Sequence, residues 1–163
     1  KRYLILIAFL ATIFLTASPN STSNQGTSSQ NTRTTKKALI TSTPTLFFHG
    51  GGSSYHAEEH MVGAGVTKSV IRAEVDGNGR VTLIGSWPKG AKNPICEVNY
   101  ENNRQLDFNK HGVYATNVVK ALQKQYGIKK INMVGHSLGN ISIIYYMLQN
   151  GKNKKMPQLQ QRS

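Results

Sequence analysis

Cysteine is nearly absent. Cys96 is the only one in 163 residues, so no intramolecular disulfide can form, and none stands near the N-terminus to carry a lipid. It lies in the apolar stretch Pro94-Ile95-Cys96-Glu97-Val98, where a thiol is expected to be a buried packing group rather than a nucleophile. Acidic residues are scarce too: 7 against 20 Lys and Arg, for a formal charge of +13, with no acid before Glu58. That balance favours anionic surfaces such as lipid headgroups or polyanionic envelope polymers as partners. The cations are scattered, without a tight basic run or interleaved aromatics, so nucleic acid is not expected as a partner. No internal repeat is visible, and no apolar run reaches the ~20 residues that span a bilayer.

The N-terminus carries Lys1-Arg2, an apolar run from Tyr3 to Leu15, and then Thr16, Ala17, Ser18 and Pro19. A basic start, a short apolar stretch and small residues make up a secretory signal peptide, here residues 1–18. An uncleaved anchor is the alternative, and either way the mature protein is expected outside the cytoplasm. Residues 19–43 are dominated by Ser, Thr, Asn and Gln. Such a segment buries too little surface to offset its ordering entropy and is expected to be a disordered linker. Residues 44–163 remain for the folded domain.

Pro44 to Phe48 is a short apolar run that ends at His49-Gly50-Gly51-Gly52, a strand entering a glycine-rich loop. Ser69–Val75 and Arg80–Ile84 flank Asp76-Gly77-Asn78-Gly79 as a hairpin. Pro94–Tyr100 is a further strand. His111 to Tyr126 has Val113, Tyr114, Val118, Leu122 and Tyr126 at helical spacing, with Gly127 as its stop. Ile131–Val134 reads as a strand and Asn140–Gln149 as a helix. The alternation in the second half predicts an α/β fold, a mostly parallel sheet flanked by helices, with the hairpin inserted as an added element.

Between the last strand and helix lies Gly135-His136-Ser137-Leu138-Gly139. Gly-x-Ser-x-Gly arises by chance in roughly one chain of this length in twenty, so its setting must carry the reading. A strand, a tight turn and a helix is the setting in which such a serine becomes a nucleophile, its hydroxyl raised above the sheet edge on a strained backbone. Ser137 is therefore the candidate nucleophile. The Leu138 N–H, at the positive end of the following helix, is a candidate donor to a tetrahedral oxyanion. A second donor is expected from the glycine loop, from the N–H of Gly51 or of Gly52. His49 and His136 sit inside these motifs, but the base of this arrangement comes late in the chain, so both are expected to be structural.

The chain resembles the secreted α/β-hydrolases of unknown function of Gram-positive bacteria, often labelled cell-surface hydrolases. Thr45-Leu46-Phe47-Phe48-His49-Gly50, Lys92-Asn93-Pro94-Ile95, Val98 to Asn103, Tyr126-Gly127-Ile128 and Val134 to Gly139 carry the resemblance. It implies a Ser-Asp-His hydrolase, lipase- or esterase-like, acting on small-molecule or lipid-like esters without metal or organic cofactor. It departs from that pattern after the elbow. Residues 138–163 contain no Asp, Glu or His, whereas members of the family continue past Met156-Pro157-Gln158-Leu159 with further strands and helices. The expectation is a partial hydrolase domain over residues 44–163, truncated at its C-terminus and inactive for want of acid and base.

Two rivals stand beside it. His56-Ala57-Glu58-Glu59-His60 matches His-x-x-Glu-His, which on a helix puts His56 and His60 on one face as zinc ligands, with Glu58 or Glu59 as base. A third ligand is not identifiable. The other rival is a non-catalytic surface protein that uses the hydrolase scaffold for binding, since fold alone does not decide function.

Overall fold

Thr45–Phe48 alternates half-buried and buried side chains and forms β1, an inner strand of a six-stranded sheet. The computed structural model describes residues 40, 42–51 and 63–162. The residues read as a signal peptide lie outside this range, as do most of the linker and the whole His56–His60 motif. Further strands are β2 (Val70–Val75), β3 (Val81–Ile84), β4 (Ile95–Tyr100), β5 (Lys130–Gly135) and β6 (Gln158–Arg162), in the order β3-β2-β4-β1-β5-β6. Only β3 is antiparallel to its neighbour.

The hairpin is no appendage. Its first strand pairs in parallel with β4 over all six residues, and only β3 extends the sheet outward as an edge. β6 was not legible in the sequence: Gln-Leu-Gln-Gln-Arg has one apolar residue and no alternation. It docks in parallel on β5 across an irregularity at Ile131/Asn132, and an edge strand can be polar because one side of it faces solvent.

Helix α1 (Phe108–Tyr126) starts three residues before the apolar periodicity because Asp107 caps it, its carboxylate accepting from the Asn109 N–H at 3.1 Å. It ends where Gly127 turns left-handed (φ 67°) and donates to the Gln123 carbonyl. Helix α2 (Gly139–Asn150) follows β5 directly. The core joins alternate strand residues such as Leu46, Ile71, Val98 and Met133 to Val118 and Leu122 of α1 and Ile143 of α2. Each fully buried aliphatic contributes roughly 1.5–3 kcal/mol. Cys96 belongs to this core, as expected, and burial pushes its thiol far above the usual range, so it stays protonated. Among the described residues no helix is long and apolar enough to cross a membrane.

The chain runs from β1 through strands on one side of it and returns to its other side with β5. The crevice outside the C-terminal ends of β1 and β5 is thus the place where an open sheet of this kind binds ligands.

Candidate active site

The ends of β1 and β5 are tied by the His136 N–H, which donates to the Phe48 carbonyl at 3.1 Å. Ser137 follows with φ 53° and an exposed side chain. Among described residues other than glycine, only Asn93 shares a positive φ. For a serine this conformation costs on the order of 1 kcal/mol or more, and it persists only because strand and helix enforce it. The glycines allow that enforcement. A Cβ on Gly135 would lie 2.8 Å from the Asn140 nitrogen, and one on Gly139 would run into the Phe48 carbonyl. Strand and helix approach so closely that neither position has room for a side chain.

Helix α2 takes hold at once: the N–H groups of Gly139, Asn140 and Ile141 donate to the carbonyls of His136, Ser137 and Leu138 at 2.9–3.0 Å. The Leu138 N–H takes no part in these bonds, and no side chain caps the helix. The Leu138 N–H therefore stands outside these bonds at the positive end of the helix dipole.

The glycine loop leans on this turn. A Cβ on Gly50 would stand 2.8 Å from the Ser137 Cβ and 3.2 Å from His136 Nδ1. One on Gly51 would stand 3.0 Å from Leu138 Cδ1 and 3.3 Å from the Asn103 carbonyl. The structure thus brings together Ser137, Gly51 and Leu138, the three residues singled out in the sequence. Gly52 lies outside the described residues. His136 is exposed and lies against the loop; His49 is half-buried at its start.

Sequence reasoning missed the third wall, the β4–α1 connection. Asn103 reaches the site through its carbonyl, and backbone contacts leave no signature in residue type. Behind that connection lies a buried polar group that was also missed: Tyr100, His111 and Ser142. Tyr100 donates its hydroxyl to Ser142 Oγ at 3.1 Å, and the two nitrogens of His111 meet Ser142 Oγ at 3.3 Å and the Gln105 carbonyl at 2.7 Å. Burial raises the Tyr100 phenol well above its ordinary value, so it remains a donor. Tyr146 of α2 is pushed up to about 12 for the same reason.

Among the described residues no three His, Cys, Asp or Glu side chains gather closely enough to hold a metal ion.

The family model for an alpha/beta hydrolase of unknown function (DUF915) matches residues 32–162, starting inside the stretch read as linker. Among solved structures, the product of gene lin2722 of Listeria innocua matches with a TM-score of 0.64 at 24% identity, over 72% of this chain and 48% of that one. A candidate cell surface hydrolase of Lactobacillus plantarum WCFS1 matches with a TM-score of 0.63 at 21% identity, over 77% and 52%. At these identities the likeness is one of fold. The chain spans about half the length of both solved relatives. No curated protein matches it. The sheet order, the elbow and a family match over most of the chain converge, and the protein belongs to the alpha/beta hydrolases of unknown function.

Proposed function

We propose that Ser137 is the nucleophile of a serine hydrolase acting on carboxylic esters, with the backbone N–H groups of Gly51 and Leu138 as its oxyanion hole. The observation that carries this reading is the left-handed Ser137 on a strand-to-helix turn with the glycine loop pressed against it. In the reaction the hydroxyl adds to the ester carbonyl, its proton passes to a base, and the oxyanion gathers the two N–H donors. Donors of this kind lower the barrier by roughly 2.7–4 kcal/mol each.

Residues 138–163 offer no Asp, Glu or His, so the base that this fold supplies after its nucleophile is not in that stretch. These 163 residues by themselves are inactive or nearly so. Their first residues, and the name borne by the Lactobacillus plantarum relative, support a place at the cell surface or in the medium. The charge of +13 supports contact there with an anionic envelope or membrane.

A fluorophosphonate probe tests the nucleophile. Ser137 should be labelled weakly in these 163 residues, strongly in a form as long as the solved relatives, and not at all after Ser137→Ala. If the longer form also stays unlabelled, the reading fails and a non-catalytic binding role on the same scaffold takes its place.

A further inference from the structure

We infer that His111 is a positioning residue that sets the spacing between the two halves of the candidate oxyanion hole. The inference rests on the reading of Ser137, Gly51 and Leu138 as the reaction centre, and its geometry stands apart from that reading.

His111 lies in the first turn of α1 at 1% exposure, with one nitrogen on each of two elements that border the site. Its Nε2 is 2.7 Å from the Gln105 carbonyl, in the β4–α1 connection. A carbonyl can only accept, so Nε2 carries the proton, and in the neutral ring Nδ1 is then an acceptor. The Ser142 hydroxyl, 3.3 Å away, donates to it, and Ser142 Oγ in turn accepts from Tyr100. The Tyr100 oxygen also lies 3.5 Å from the His111 carbonyl, the longer of its two contacts. One directed chain results, from Tyr100 through Ser142 and His111 to Gln105.

Ser142 sits one turn beyond Leu138 on α2, so the Nδ1 side holds the helix whose N-terminus offers the Leu138 N–H. Gln105 is two residues from Asn103, whose carbonyl lies 3.3 Å from where a Gly51 Cβ would stand, so the Nε2 side holds the wall against which Gly51 rests. Gln105 is itself braced: its N–H donates to the Asn102 carbonyl at 3.3 Å, and its side-chain oxygen accepts from the Asp107 N–H at 3.0 Å. A displacement at His111 is therefore passed on to Asn103 rather than absorbed in a slack loop. Ser142 and His111 are both buried, which keeps water from substituting for the bond between them, while the bond to Gln105 is part-buried.

Two variants separate the two bonds, because a glutamine amide reaches the place of Nε2 and an asparagine amide the place of Nδ1. H111Q keeps the donor to Gln105 and H111N loses it, while each gives up one of the two hydrogen bonds. Hydrogen exchange on the 163-residue chain reads the consequence. Amides of residues 102–107 and of Gly50 and Gly51 should exchange about tenfold faster in H111N than in the parent, and close to the parental rate in H111Q. The imidazole nitrogen shifts of the parent should report the Nε2–H tautomer. Equal exchange in both variants, or no acceleration in H111N, overturns the inference. If these amides respond as stated while Ser137 of the longer form resists the fluorophosphonate probe, His111 holds the loop and the proposed reaction is what falls.

Discussion

Two turns leave the same end of the sheet, and they solve opposite problems. At the hairpin, Asp76 to Gly79, the chain spends side chains on its own backbone. The Asp76 carboxylate accepts from the N–H groups of Asn78 and Arg80, Glu101 accepts from Gly77 N–H, and Tyr114 and Asn117 donate to the carbonyls of Gly77 and Gly79. Its left-handed residue is a glycine, Gly79 at φ 82°, the residue for which that conformation is free of steric cost. At the elbow the left-handed residue is Ser137, exposed, and the helix behind it has no side-chain cap. A turn whose task is to hold two strands is saturated with local bonds. A turn whose proposed task is to present a hydroxyl and the Leu138 N–H leaves both out of its own backbone bonds and carries strain instead.

The elbow is most sensitive at Gly139. Gly139→Ala drives a Cβ into the Phe48 carbonyl and should cost roughly 3 kcal/mol in urea unfolding, because backbone on both sides must move. A loss below about 1 kcal/mol would mean that strand and helix are less tightly joined than described.

Next come two substitutions of opposite sign. Gly79→Ala forces a side chain into φ 82° within 3.1 Å of Asn117 and 3.3 Å of Tyr114, and should destabilise by about 1–2 kcal/mol. Ser137→Gly removes a side chain from φ 53° and should stabilise by up to about 1 kcal/mol, even as it abolishes labelling by the probe. If Ser137→Gly instead lowers the unfolding midpoint, the elbow is held by its serine rather than strained by it.

The smallest effect is one of pH. The Arg80 N–H, with further help from the Asn78 N–H and the Arg80 guanidinium, holds the Asp76 carboxyl below its ordinary 3.8. A lowered folded-state value contributes stability that is present above the ordinary value and lost as pH falls through the lowered one. Asp76→Asn should therefore flatten the acid limb of the urea midpoint against pH, modestly because the group is partly open to solvent. An unchanged acid limb would show the turn to be held without that charge.

Much of this was legible in the residues. The α1 periodicity and its Gly127 stop, the apolar β1 and β5, and the hairpin around Asp76 to Gly79 all occupy the places the pattern predicts. Each rests on a local rule: apolar spacing at one period, or a glycine where φ turns positive. The misses share a cause as well. β6 is polar and exists by pairing with Lys130–Met133, a partner distant in sequence. Asp107 caps the helix ahead of its apolar face, so apolar spacing alone does not reveal it. Asn103 enters the site through a carbonyl, and His111 through a ring buried between elements, so neither announces itself by neighbours in the chain.

The sequence alone determined the chemistry on offer, a serine between two glycines after an apolar strand, because that turn is a local solution that few other residues permit. Only the tertiary structure decided what stands around it. The glycine loop is 86 residues from the elbow in sequence, measured from Gly51 to Ser137, and it meets the elbow because β1 and β5 pair side by side. The order of strands, the place of β2 inside the sheet and the bridge at His111 follow in the same way. They are products of long-range burial and pairing, for which no short stretch of residues carries the instruction.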